Sequence, residues 1–152
     1  MAFWPRSQAK SPAGIADIRA RYDALFARFG APPAAMDFTP GQLGPIPGEW
    51  VGPTDVSRLM LYFHGGGFVA GSPQTHRPLV GKLVEASGVG AFSVQYRLAP
   101  ECFFPAAVRD GIDAYRALLA KGVPAGAIVL AGDEAGGGLA FGVALAVRNA
   151  GL

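Results

Sequence analysis

The chain has 152 residues, of which 51% are hydrophobic and 16% are charged. This composition is typical of one folded domain and excludes a disordered segment. The 13 basic and 11 acidic side chains give a formal net charge of +2 and are spread along the sequence. Because they form no basic arm or stripe, the charge pattern argues against nucleic acid as a partner.

The N-terminal segment MAFWPRSQAKSPAG has no continuous apolar run of the kind that forms a signal-peptide core. No segment of the sequence is long and apolar enough to span a bilayer. The lone Cys102 cannot form an intrachain disulfide, which agrees with a reducing compartment. We therefore expect a cytoplasmic protein without a membrane span.

The first predicted element is a helix between Gly14 and Phe29, where apolar residues recur every three or four positions. Gly30 and the two prolines that follow end this helix. A stretch rich in glycine and proline then runs to Pro53 and leaves room for one or two short strands around Trp50.

From residue 59 onward, apolar runs alternate with helical stretches. The runs at 59–63, 89–96 and 127–131 predict strands. Pro105 is predicted to open the helix between the second and third runs, since proline suits the first helical position. Strands that are each followed by a helix predict an α/β fold: a mainly parallel sheet with helices on both faces.

The third predicted strand lies at an open edge of this sheet. Such a strand keeps a row of unpaired backbone N–H and C=O groups, which is unfavourable for a parallel sheet of few strands. The sequence stops at Leu152, directly after the helix that follows this strand. We therefore expect an incomplete fold whose C-terminal strands are absent, with the edge open to more chain, to self-association or to a partner chain.

The string His64-Gly65-Gly66-Gly67-Phe68 follows the first of these strands, at the edge where open α/β sheets bind their ligands. Three consecutive glycines leave the loop without side chains, so its backbone N–H groups can converge on a developing negative charge. A merely flexible turn would fit any glycine pair. His-Gly-Gly-Gly between a strand and a helix is, however, typical of the oxyanion loop of lipases and esterases.

A second glycine-rich turn joins the third strand to its helix and consists of Gly132, Asp133, Glu134, Ala135 and Gly136. Hydrolases carry their nucleophile in such a turn, where glycine is needed because the helix packs close to the strand. The central residue here is Glu134, where serine is expected. A carboxylate is already ionised at neutral pH and is a weak nucleophile toward esters.

Three motifs resemble those of the bacterial hormone-sensitive-lipase-like (family IV) carboxylesterases: HGGGF at 64–68, YRLAPE at 96–101 and GDEAGGG at 132–138, where the family has GDSAGGG. The resemblance covers nearly the whole chain and implies an α/β-hydrolase fold. It further implies a cap-like helical region over residues 1–40 and the N-terminal half of the hydrolase core over residues 41–152.

By position, the resemblance implies that the backbone N–H groups of Gly66, Gly67 and Ala135 form the oxyanion hole. Supporting roles in the loop and the elbow would fall to His64, Gly65, Gly132, Asp133 and Gly136. The family's catalytic Asp and His come from beyond residue 152, and His76, read here as an ordinary helix-start residue, does not replace them. The implied ligand is a small ester, with no metal and no cofactor.

Within the second motif, Arg97 and Glu101 either fix the loop after the strand or act only as surface ion-pairing groups. Both interpretations fit the spacing of the motif. The sequence leaves them open.

Electrostatics gives Glu134 a further role. At a helix N-terminus beside the N–H groups of the oxyanion hole, an anion is favoured, so the carboxylate is expected to fill the hole and block it. Carboxylate attack on an alkyl carbon is the less favoured chemistry, since it still needs a base. The sequence thus predicts a carboxylic ester hydrolase by family that is inactive as this chain alone. Two alternatives stay open: a non-catalytic module that binds a small ligand, and one half of a split protein.

Overall fold

The computed structural model describes residues 12–54 and 57–152. Residues 1–11, which belong to the predicted cap-like region, lie outside the described residues. The helices are α1 (Pro12–Phe26), α2 (Pro73–Ser87), α3 (Ala106–Ala120) and α4 (Glu134–Asn149). The strands are β1 (Phe38–Leu43), β2 (Ile46–Val51), β3 (Leu59–Phe63), β4 (Ala91–Val94) and β5 (Ile128–Gly132).

The strands of the described chain form one sheet in the order β1-β2-β4-β3-β5. β3 lies parallel to both of its neighbours, so that Leu61 is opposite Phe92 of β4 on one side and Leu130 of β5 on the other. β1 and β2 form an antiparallel hairpin, and β2 pairs antiparallel with β4. The predicted α/β architecture with a mainly parallel sheet is confirmed.

Two hydrophobic clusters cover opposite faces of the sheet. The larger lies between the sheet and helices α3 and α4, and it includes Leu61 and Phe63 of β3. The smaller lies under α2 and includes Met60 and Tyr62 of the same strand. Successive side chains of a strand point to opposite faces, so β3 is buried along its whole length by helices on both sides.

The helices follow the predicted pattern with small differences. The core face of α4 is formed by three buried residues: Leu139, Val143 and Val147. α1 ends at Phe26, and the last predicted turn is a short 3₁₀ helix with Phe29 exposed. α3 begins at Ala106, so that Pro105 precedes the helix instead of forming its first residue.

β5 forms an edge of the sheet among the described residues, because its ladder runs to β3 alone. Val129, in the middle of this strand, is 50% exposed. Within the described ranges, no helix is long and apolar enough to cross a membrane.

Candidate active site

Two glycine-rich turns meet at one edge of the sheet. Residues 64–68 follow β3, and residues 132–136 join β5 to α4. Phe63 and Gly132 are register partners at the ends of these parallel strands, so both turns leave the sheet side by side. A Cβ atom on Gly136 would lie 2.6 Å from the carbonyl oxygen of His64. The first turn of α4 therefore packs directly on the start of the other loop, as a tight elbow requires.

Glu134 begins α4 in a backbone conformation that L-residues rarely adopt. Its φ is 48°, whereas the preceding Asp133 is extended. A non-glycine residue in this left-handed region costs on the order of 1–2 kcal/mol. The chain thus makes a sharp, strained strand-to-helix turn with Glu134 at its centre.

The carboxylate of Glu134 lies inside the other loop. Its Oε2 accepts the backbone N–H of Gly66 at 2.6 Å and that of Gly67 at 3.2 Å. Both glycines have positive φ, at 122° and 61°, a conformation that favours glycine. Ala135 follows in the first turn of α4, where backbone N–H groups have no partner within the helix. The contact predicted between Glu134 and the glycine loop is present.

Asp133 holds the same loop through its own carboxylate. Its Oδ1 accepts the N–H of Gly65 at 2.9 Å and the hydroxyl of Tyr62 at 2.8 Å. Its Oδ2 lies 3.3 Å from Nε2 of His76. Burial raises the pKa of Asp133, but the hydrogen bonds from His76 and Tyr62 outweigh burial and leave the pKa below its ordinary value. Asp133 is therefore an anion that anchors the start of the glycine loop.

His64 supports the loop from inside the core. It is buried, and its ring stacks on that of Tyr96 with centroids 4.3 Å apart. Its Nδ1 lies 2.8 Å from the carbonyl oxygen of Gly65; since a carbonyl only accepts, Nδ1 carries the proton. Burial lowers the pKa of His64 to about 4, so the imidazole is neutral at pH 7.

His76 lies in the first turn of α2, as the sequence predicts, but its burial and its contact with Asp133 were not predicted. It is fully buried, its Nδ1 lies 2.9 Å from the hydroxyl oxygen of Thr75, and its Nε2 faces Asp133. A capping box between Ser72 and Thr75 marks the start of α2, but it does not indicate which element the first turn packs against. One signal was available: His76 lies on the same helical face as Val80 and Val84, four and eight positions later, and both are buried.

Arg19 of α1 joins the loops around the site. Its Nε donates to the carbonyl oxygen of Val69 at 2.8 Å, and its Nη2 donates to that of Ala99 at 3.1 Å. The guanidinium also binds Glu101 through both carboxylate oxygens, at 2.8 and 2.7 Å. Arg97 binds Asp110 instead, with 2.6 Å between Nη2 and Oδ1. Both residues of the second motif therefore hold the loop after β4, each with a partner of its own.

A cavity of about 350 Å³ opens beside the elbow, between α2 and the end of α1. Its volume is in the range of small-molecule sites. The walls are mainly apolar, and the lining residues are Phe26, Phe29, Thr75, Pro78, Leu79, Lys82 and Asp133. Asp133 connects this cavity to the hydrogen bonds of the glycine loop.

Residues 60–152 match the model of a family with the α/β-hydrolase fold. The chain is 42% identical to an acetyl-hydrolase of Streptomyces hygroscopicus over 147 residues, 96% of this chain and 47% of that protein. It is similar to the crystal structure of EstE7, a hormone-sensitive-lipase homologue from a metagenome library, with a TM-score of 0.81 and 42% identity over 88% of this chain and 46% of that one. It is also similar to the crystal structure of an esterase from the bacterial hormone-sensitive lipase family. That match has a TM-score of 0.86 and 36% identity and covers 96% of this chain and 50% of that one.

The fold and the matched region define an α/β-hydrolase. The chain belongs to this family, among the bacterial hormone-sensitive-lipase-like esterases, which confirms the resemblance carried by the three motifs. The chain spans about half the length of each of these three relatives.

Proposed function

We propose that the two turns form the ester-hydrolysing site of a carboxylic ester hydrolase, and that Glu134 occupies its oxyanion hole. The observation that carries this proposal is the convergence of the Gly66 and Gly67 N–H groups on one carboxylate oxygen. In ester hydrolysis, a pair of backbone donors binds the negatively charged oxygen of the tetrahedral intermediate. Oε2 of Glu134 is an oxygen of the same charge, and it lies within hydrogen-bonding distance of both N–H groups.

The isolated chain is proposed to be inactive toward esters. An ester carbonyl oxygen cannot enter the hole while Oε2 fills it, and the carboxylate is itself a weak nucleophile. An activated nucleophile also needs a neighbouring base. His64 is bound to Gly65 and His76 faces Asp133, so neither imidazole is placed for that role.

The proposed ligand is a small ester. The acetyl-hydrolase relative supports a short acyl group, and the mainly apolar cavity beside Asp133 suits the apolar part of such a molecule. We propose residues 1–40 as a cap-like region and residues 41–152 as the N-terminal half of the hydrolase core. This division is supported by Arg19 of the cap-like region, which donates hydrogen bonds to Val69 and Glu101 in the loops around the site.

The edge at β5 is proposed to take up further polypeptide, from a second copy or from a separate partner chain. Val129 on the strand is 50% exposed, and Phe141 and Leu145 on the neighbouring α4 are 74% and 44% exposed. Added strands would cover these apolar groups and pair the free edge of β5. Size-exclusion chromatography with light scattering tests this: a compact monomer that stays soluble at high concentration would contradict it.

The test of the hydrolase proposal restores the serine. Glu134→Ser would be co-expressed with the C-terminal half of a related esterase, which supplies that enzyme's catalytic acid and base, and hydrolysis of a chromogenic acetate ester would be measured. The matched control is Glu134→Ala, which empties the hole without adding a nucleophile. Activity is expected in the serine pair only. If that pair is no more active than the alanine pair or the unchanged pair, the proposal fails.

A further inference from the structure

We propose that His76 is a positioning residue of this site, which acts through Asp133 to hold the glycine loop in the geometry that aims the Gly66 and Gly67 amides. The inference rests on the proposed function of the loop as an oxyanion hole. His76 touches none of the groups that would react.

A short chain of contacts links His76 to the loop. Its Nε2 lies 3.3 Å from Oδ2 of Asp133, and the other oxygen of that carboxylate accepts the Gly65 N–H at 2.9 Å. Since a carboxylate is a rigid planar group, fixing Oδ2 also fixes the direction of Oδ1. Gly65 directly precedes Gly66, whose N–H is the shorter of the two contacts to Glu134.

Tyr62 also donates a hydrogen bond to Asp133, but it does not duplicate the role of His76. The hydroxyl of Tyr62 binds Oδ1, the oxygen that Gly65 also uses. Within residues 12–54 and 57–152, the hydrogen-bonding partner of Oδ2 of Asp133 is His76. Tyr62 therefore supports Oδ1, and His76 sets the rotation of the carboxylate about its own axis.

The imidazole is itself held firmly. His76 is fully buried, with its ring centroid 4.6 Å from that of Phe26 and 5.5 Å from that of His64. Its backbone belongs to the first turn of α2, which a capping box between Ser72 and Thr75 secures. A side chain locked by packing transmits its position to the group it binds.

The chemistry of the contact fixes the position of one proton. Asp133 is ionised and therefore only accepts, so Nε2 of His76 must be the donor. On the other side of the ring, Nδ1 lies 2.9 Å from the hydroxyl oxygen of Thr75 and 3.3 Å from the carbonyl oxygen of Ser72. The proposal thus requires an Nε2–H imidazole in the folded protein.

The first experiment uses the unmodified chain. Nitrogen-15 NMR of the histidine rings, in the neutral pH range, reports which nitrogen carries a proton. We expect His76 to have Nε2 protonated and coupled to the Asp133 carboxylate. An Nε2 that carries no proton would overturn the proposal, and this result does not depend on whether any variant folds.

The second experiment compares His76→Leu, which removes the donor, with His76→Gln, whose amide nitrogen replaces Nε2. The readout is the hydrogen-exchange protection of the Gly65 and Gly66 amides. We expect His76→Leu to lower this protection by about tenfold, the equivalent of one lost charge-assisted hydrogen bond, and His76→Gln to restore it to within about threefold.

Val147→Ala is the matched control for lost packing, since Val147 is buried near the far end of α4. It should lower overall stability and leave the protection of the two glycines in place. A folded His76→Leu protein with unchanged protection would overturn the proposal, as would a glutamine variant as unprotected as the leucine one. Where the leucine variant does not fold, the glutamine variant and the tautomer decide. A failed esterase test would leave these amide results unchanged, so the two failures are distinguishable.

Discussion

The α-carbon of Gly136 lies so close to Phe63 that a Cβ atom built on it would stand 2.6 Å from the carbonyl carbon of Phe63. This approach brings the first turn of α4 against the end of β3. It is what places Glu134 within hydrogen-bonding distance of the loop that follows β3. The site therefore depends on the absence of one methyl group.

Gly136→Ala is expected to lower the free energy of unfolding by about 1–3 kcal/mol, the cost of forcing an extra methyl into a close-packed contact. The neighbouring atoms belong to the backbone, which cannot move aside as a flexible side chain would. Urea unfolding followed by circular dichroism measures the change.

Gly138→Ala, on the same helix, is the matched control, because a Cβ atom at Gly138 meets no neighbouring group within 4 Å. Alanine has the higher helix propensity, so this variant should gain about 0.5–1 kcal/mol. Equal effects at the two positions would show that the contact with Phe63 is not a tight one.

The buried His64 predicts a loss of stability in weak acid. Its pKa is lowered from the ordinary 6.5 to about 4 in the folded chain. Between these values the unfolded chain binds a proton that the folded chain does not, so the free energy of unfolding falls as the pH is lowered from about 6.5 to about 4. The full loss from this group is up to about 3 kcal/mol. Urea unfolding at pH 7 and at pH 4.5 measures it.

The glutamine of His64→Gln does not titrate in this range. Between pH 7 and pH 4.5, the free energy of unfolding of this variant should therefore fall less than that of the unchanged chain, and the difference should equal the loss attributed to His64. The stability of the variant at pH 7 is expected to fall, because the stacking on Tyr96 is lost. If the variant and the unchanged chain lose equal stability between pH 7 and pH 4.5, His64 is not the group that titrates.

Arg19→Ala is expected to loosen α1 from the loops around the site, since Arg19 donates to Val69, Ala99 and Glu101. Because the ion pair with Glu101 is partly exposed, the effect is local and modest, with amide hydrogen exchange in α1 faster by roughly fivefold. Arg21→Ala is the control on the same helix, as Arg21 pairs only with the partly exposed Asp17 among the described residues. Equal acceleration in both variants would mean that α1 is not held through Arg19.

The features that were predicted from the sequence are the local ones. The apolar run at 59–63 is long enough to predict a buried strand. The glycine-rich strings at 64–68 and 132–138 predict tight turns, because glycine adopts backbone conformations that other residues rarely do. The contact between Glu134 and the loop was also predictable, because the resemblance places the two turns side by side and a helix N-terminus favours an anion.

The contacts that were missed join distant parts of the chain. His76 and Asp133 are 57 positions apart, and Arg19 and Glu101 are 82 apart. They meet because β3 lies between β4 and β5, an order that no local pattern specifies. The buried face of α2 indicated that His76 points inward, but not which group it would meet there.

The proposed function depends most on the amides of Gly66 and Gly67 forming an anion site that Glu134 fills. The direct measurement is an NMR titration of Glu134→Ala with sodium acetate at constant ionic strength, following those two amides. Glu85→Ala, which removes an exposed carboxylate from α2 and leaves Glu134 in place, is the control.

Two charge-assisted hydrogen bonds predict binding with a Kd on the order of 1 mM in Glu134→Ala. Saturable shifts of both amides in that variant, with none in the unchanged chain or in Glu85→Ala, are the predicted result. Amides that stay unmoved in Glu134→Ala, or that move equally in all three proteins, would contradict the account.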